Sequence, residues 1–135
     1  MPNLIQEFID NMKKKHNLKI EKWEPNKEYY PEYMFLGGDR GILAYIYFVD
    51  DDCIPINEVV KKVSRAESEL DRPVFFIRNY QDLSKLYFET NEQIKNRLFK
   101  EKIESQYRAD MDTVGDYDEL VGILKSLKKN SVKFY

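Results

Sequence analysis

The eight residues Ile42–Val49, ILAYIYFV, constrain this chain more than any other segment. Their only side-chain polar atoms are the hydroxyls of Tyr45 and Tyr47. The run is far shorter than the roughly 20 residues a helix needs to cross a bilayer. Branched and aromatic side chains favour a strand. A strand that is apolar at nearly every position belongs to a sheet covered on both faces. The rest of the chain must therefore supply partner strands and apolar helix stripes to cover it.

Those elements are legible on either side. Asn3–Lys15 carries Leu4, Ile5, Phe8, Ile9 and Met12 on one helical stripe. Asn3 is placed to cap it, with Gln6 as the reciprocal partner. Leu18–Trp23 reads as a short strand and residues 24–32, with two prolines, as a loop. Tyr33–Leu36 is a second strand. Gly37-Gly38-Asp39-Arg40-Gly41 is the turn that joins it to Ile42–Val49 as a hairpin.

Ile56, Val59, Val60, Val63, Ala66 and Leu70 repeat at three and four, a helix with Pro55 in its first turn. The connection to Val74–Ile77, a buried fourth strand, is long enough for a right-handed parallel crossover. Leu83–Glu89 fits a strand or a short helix, and Leu86, Tyr87 and Phe88 are read as a fifth strand. Thr90 with Gln93 is a capping box that opens a helix to about Arg108. Asp116 with Glu119 opens the last helix, with Leu120, Val121, Ile123, Leu124 and Leu127 inside and a tail docked by Phe134 and Tyr135. The expected fold is α/β (α+β), one domain over residues 1–135, with a mixed four- or five-stranded sheet and flanking helices in the order α-β-β-β-α-β-(β)-α-α. Residues 90–135 form a helical part packed on the same core.

Twenty-two Lys and Arg against 24 Asp and Glu leave a net charge of −2, so the total charge does not call for a polyanionic partner. The charge is uneven. Lys13, Lys14 and Lys15 form one basic run, and Lys125, Lys128, Lys129 and Lys133 another. Asp50, Asp51 and Asp52 are acidic, as are Asp110, Asp112, Asp116, Asp118 and Glu119. These read as solvated faces and loops, or as a mixed-sign surface for a partner. One Cys and one His exclude a disulfide scaffold, a cysteine-based structural zinc and any two-imidazole site. Glu7 and Asp10 interrupt the apolar positions of residues 1–15, and no small-residue cleavage site follows, so the segment is not read as a signal peptide. A cytoplasmic protein without membrane contact is expected.

Over residues 3–78, helix, three meandering strands, helix and strand resembles the core order of the restriction-endonuclease-like fold, the PD-(D/E)xK nuclease superfamily. That resemblance implies an acidic residue on the second strand and an acid-x-Lys on the third, together holding a divalent metal beside the attacking water. The third strand here has no acid and no lysine. Pro31-Glu32 imitates the first half of the motif, and Glu58 with Lys61 or Lys62 imitates a displaced second half. The enzyme alternative is thus a metal-dependent phosphodiesterase with Asp39, Glu58 and Lys61 or Lys62 brought together. If the fold is right, loss of the catalytic acids implies a binding or structural role.

Other constellations have plainer readings. Asp110, Asp112, Asp116 and Asp118 stand at positions 1, 3, 7 and 9 of an EF-hand-like loop, with Gly115 at 6. Val114 and Val121 occupy positions 5 and 12, where oxygen ligands belong, so the loop is read as a helix cap. A phosphate cradle at Gly37–Gly41 would need a helix after it, and a strand follows. A Cys53–His16 nucleophilic pair would use the whole supply of both residues.

The aromatic content, 10 Tyr, 8 Phe and one Trp, exceeds what catalysis would explain. Most rings fall on strands and read as core. Trp23, Tyr29, Tyr30 and Tyr33 flank a charged, proline-bearing loop and read as a partner-binding patch. The loop is acidic, which favours a protein partner or a homodimer over nucleic acid. The expected function is a small non-catalytic interaction protein without a cofactor, a degenerate nuclease-like domain; a divalent metal enters only with the enzyme alternative. A nucleic-acid-binding alternative uses Lys95, Arg97, Lys100 and Lys102 with the terminal lysines.

Overall fold

In the computed structural model, which describes residues 3–24, 30–38, 41–49, 56–96 and 115–131, the apolar run is β3 (Ile42–Val49). It lies in the middle of a five-stranded sheet of order β1-β2-β3-β4-β5. β1 (Lys19–Lys22), β2 (Tyr33–Leu36) and β3 form an antiparallel meander. β4 (Val74–Arg78) runs parallel to β3, which requires a crossover, and α2 (Ile56–Glu69) lies within it. β5 (Tyr87–Thr90) returns antiparallel to β4. The sheet is therefore mixed, and its fifth strand falls at the later end of the segment that sequence left between strand and helix.

Alternation along β3 sends side chains into two cores. Ala44, Ile46 and Phe48 face α1 (Leu4–His16) and α4 (Tyr117–Ser131), together with Ile20, Phe35, Phe75, Ile77 and Phe88. Phe8 and Met12 of α1 and Leu120, Val121 and Leu124 of α4 close that side. Tyr45, Tyr47 and Val49 face the other way with Val74 and Phe76. Val63 and Ala66 of α2 and Ile94 cover them. Ile94 belongs to α3, described over residues 91–96; its expected continuation to Arg108 lies outside the described residues, as do Phe134 and Tyr135.

Local signals set the element ends. Asn3 Oδ1 accepts from the Gln6 amide at 3.0 Å, the expected cap. The reciprocal half is replaced: the Gln6 side chain donates to Asp10 at 2.9 Å, an i,i+4 partner that competes with the cap. At the other end Asn17 takes the left-handed conformation, φ 57°, and Leu18 N–H reaches back to Met12 O at 3.2 Å. At Thr90 both bonds of the capping box form, at 2.9 and 3.1 Å. Asp116 accepts from the Glu119 amide at 2.9 Å, so this acid serves as a helix cap. Gly38 and Gly41, at φ 66° and 76°, shape the hairpin turn. Next to it, Leu36 pairs with Ile42 and Phe35 with Ala44, leaving Leu43 as a bulge.

The outer edge of β5 is closed by Gly115, which exchanges two backbone hydrogen bonds with Phe88, at 3.0 and 3.2 Å. A methyl group on Gly115 would overlap the buried Phe88 ring, whereas one on Gly122, exposed on α4, would meet open space. Gly115→Ala is expected to destabilise by about 1–3 kcal/mol through overpacking. Gly122→Ala is expected to stabilise by about 0.5–1 kcal/mol through helix propensity. Urea unfolding followed by circular dichroism reads both signs.

Candidate binding surface

Trp23 follows β1, and its N–H donates to Glu32 O at 2.6 Å, extending the β1–β2 ladder by one step. This bond holds the indole over the α2 side of the sheet. There it packs on Tyr45 with centroids 4.9 Å apart and on Tyr30 at 6.0 Å. Trp23 and Tyr30 are half-buried and Tyr45 is buried. The Tyr30 hydroxyl donates to the Glu69 carboxylate, which raises its pKa above the ordinary 10.0 because the acceptor favours the protonated phenol. Glu69 also accepts from Arg65 at 2.9 Å. Tyr47, two residues along the strand from Tyr45, stacks on Phe76 at 4.6 Å with an interplanar angle of 13°. Lys62 Nζ lies 4.8 Å from the Tyr47 ring centroid. Burial pushes the hydroxyls of Tyr45 and Tyr47 up as well.

The result is an aromatic row from Tyr30 through Trp23 to Tyr45, with Tyr47 and Phe76 beyond it, rimmed by the Arg65–Glu69 pair and Lys62. Its phenols are protonated at neutral pH, so they donate hydrogen bonds and do not act as bases. The arrangement suits recognition: a half-buried indole and phenol beside one acid and two cations.

The sheet divides the four aromatics that sequence groups together. Trp23 and Tyr30 meet on the α2 side. Tyr33 packs edge-on to Phe48 at 5.0 Å on the opposite side, in the core under α1. Tyr29 lies outside the described residues, as do Asp39, Cys53 and Arg97. Glu58 is exposed on the first turn of α2, Lys61 is exposed one turn later, and Lys62 is the cation over Tyr47. Among the described residues no three His, Cys, Asp or Glu side chains come together as a metal site. Asp39, the acid that the enzyme alternative needs beside Glu58, lies outside the described residues. Tyr45, Arg65 and Glu69 join the row without having been singled out in sequence. The Arg65–Glu69 spacing of four was a readable helix pair; that it would meet Tyr30 depended on the crossover.

His16, the lone imidazole, sits at the end of α1, where its Nε2 lies 3.0 Å from the Tyr117 hydroxyl of α4. Asn11 donates to the same hydroxyl at 2.8 Å. Burial lowers the His16 pKa below 6.5, helped by Lys125 and Lys15 and opposed by Asp118. No family model, curated protein or solved structure matches this chain. No helix among the described residues is long and apolar enough to cross a membrane.

Trp23→Ala removes the ring from Tyr45 and Tyr30, and a loss of about 2 kcal/mol is expected for a half-buried aromatic, read by chemical denaturation. For His16 the folded state favours the neutral ring. Its contribution is complete above the ordinary value of 6.5 and is lost as pH falls through the lowered value. Stability should therefore rise with pH across this window, and His16→Gln should flatten the rise in thermal melts taken at a series of pH values.

Proposed function

We propose that this chain is a non-catalytic binding protein built on a framework like the restriction-endonuclease-like fold. The order helix, three-strand meander, helix and parallel fourth strand supports the likeness of framework. One observation carries the non-catalytic reading. β3, the strand on which that pattern carries its acid and lysine, is closed by apolar residues on both faces. An ionised pair placed at Ala44, Ile46 or Val49 would be buried without water, a cost of several kcal/mol per ion before any pairing.

Function then rests on the surface. The Trp23–Tyr30 row with Arg65 and Glu69 supplies what protein interfaces use: amphipathic rings that lose little entropy on docking, and a guanidinium and a carboxylate that set register. A protein is the partner this chemistry fits, and a second copy of the chain in the cytoplasm is the simplest one. The row needs no cofactor.

Two measurements test the reading. Incubation with single- and double-stranded DNA in Mg²⁺ or Mn²⁺ should give no cleavage; metal-dependent cleavage that Glu58→Gln abolishes would establish the enzyme alternative. Sedimentation velocity should show a concentration-dependent dimer that Arg65→Glu weakens. A monomer at every concentration would rule out the second copy as partner.

A further inference from the structure

The two lysine runs that stand more than a hundred residues apart in sequence meet in the fold. Lys128 Nζ, on α4, donates to the carbonyl of Asn17 just past α1, at 2.8 Å. The Tyr117 hydroxyl bonds to His16 and Asn11 of α1. These contacts bring the end of α1, with Lys14 and Lys15, beside the turns of α4 that carry Lys125, Lys128 and Lys129. On α4 the three lysines are spaced i, i+3 and i+4 and so share a face. The field there is felt by His16, whose pKa Lys125 and Lys15 both depress after burial has done so, while Asp118 opposes them.

Four cations elsewhere on the described surface have carboxylate neighbours: Lys19 with Glu21 at 3.1 Å, Arg65 with Glu69 at 2.9 Å, Arg72 with Asp71 at 3.4 Å, Lys85 with Asp82 at 4.0 Å. Among the described residues no carboxylate lies within ion-pair reach of Lys13, Lys14, Lys15, Lys125 or Lys129. Lysines in a last helical turn do favour the negative end of that helix's dipole. That effect acts within one helix and fades within a turn. It does not account for two lysine-bearing helix ends being set side by side, where the ammonium groups repel one another. An external anion relieves the repulsion.

We propose that this face of α1 and α4 binds the phosphate backbone of a nucleic-acid duplex without reading its sequence. The residue types select that occupant. Ammonium groups are point charges suited to phosphate, and among the described residues the patch has no guanidinium fork to read base edges. Among the described residues, the rings of Phe8 and Tyr117 beside it face the core and the His16–Asn11 network and offer no platform to unstacked bases. The large exposed apolar side chains among the described residues, Leu4 and Val60, lie on the first turn of α1 and on α2, away from the described lysines. The patch lies across the sheet from the Trp23–Tyr30 row, so this inference stands independently of the reading of that row.

The test is fluorescence anisotropy of the full chain with a labelled mixed-sequence 20-base-pair DNA. About four phosphate contacts should weaken binding on the order of 100-fold between 50 and 200 mM NaCl. Replacing the exposed lysines together, Lys14→Gln, Lys15→Gln, Lys125→Gln and Lys129→Gln, should weaken binding at 50 mM by at least about tenfold. A control removing the same charge elsewhere, Lys19→Gln, Lys22→Gln, Lys61→Gln and Lys85→Gln, should change it less than threefold, and circular dichroism checks that both variants fold. Absence of binding at 50 mM, or equal loss in both variants, overturns the proposal. So does tighter binding to phosphatidylserine vesicles, or displacement of the duplex by poly-glutamate at equal charge concentration; these would point to a membrane or an acidic protein instead.

Discussion

Burial of β3 on both faces governs the rest of this molecule. A strand without charge can be satisfied only if each edge is hydrogen-bonded and each face is covered. Its two edges are taken by β2 and β4, antiparallel on one side and parallel on the other. The parallel partner requires a crossover, and α2 within it covers Tyr45, Tyr47 and Val49. The chain segments at either end, α1 and α4, are left to cover Ala44, Ile46 and Phe48. Each helix needs only one apolar stripe, and each has one.

The aromatic excess follows from the same geometry. Large rings fill two cores from a short sheet, and they meet edge to face: Phe8 on Phe48 at 5.4 Å, Phe48 on Tyr80 at 5.2 Å, Phe75 on Phe88 at 5.8 Å. Such packing leaves room at close approaches only for glycine, as where Gly115 crosses Phe88. Rings near the periphery keep their hydroxyls in polar company. Tyr117 joins α4 to α1 through Asn11 and His16, and Tyr30 joins the β1–β2 loop to α2 through Glu69. The phenols thus fasten helices to the sheet as well as filling it.

Much of the fold was readable because its signals are local. The periodicity of Phe8 and Met12, the capping pairs Thr90–Gln93 and Asp116–Glu119, and the glycines between β2 and β3 each act within a few residues. The limits of local reading are equally specific. Gln6 had two partners within reach, the Asn3 N–H as donor and the Asp10 carboxylate as acceptor, and spacing alone could not choose Asp10. Trp23, Tyr30 and Tyr33 are close in sequence, but alternation along β2 puts Tyr33 on the far side of the sheet from the other two. A patch inferred from proximity along the chain was split by the pleat.

Residue order alone settled the strand that must be buried, the helices that must cover it, and the scarcity of histidine and cysteine, because these rest on side-chain chemistry and short-range periodicity. It could not settle which distant charges and rings would become neighbours. The crossover of α2 brought Glu69 to Tyr30, and the packing of α4 on α1 brought one lysine run to the other. Both juxtapositions arise from closing the two cores over β3, a free energy summed over the whole sheet that no segment carries by itself. A chain with a net charge of only −2 thereby sets lysines from its two ends side by side.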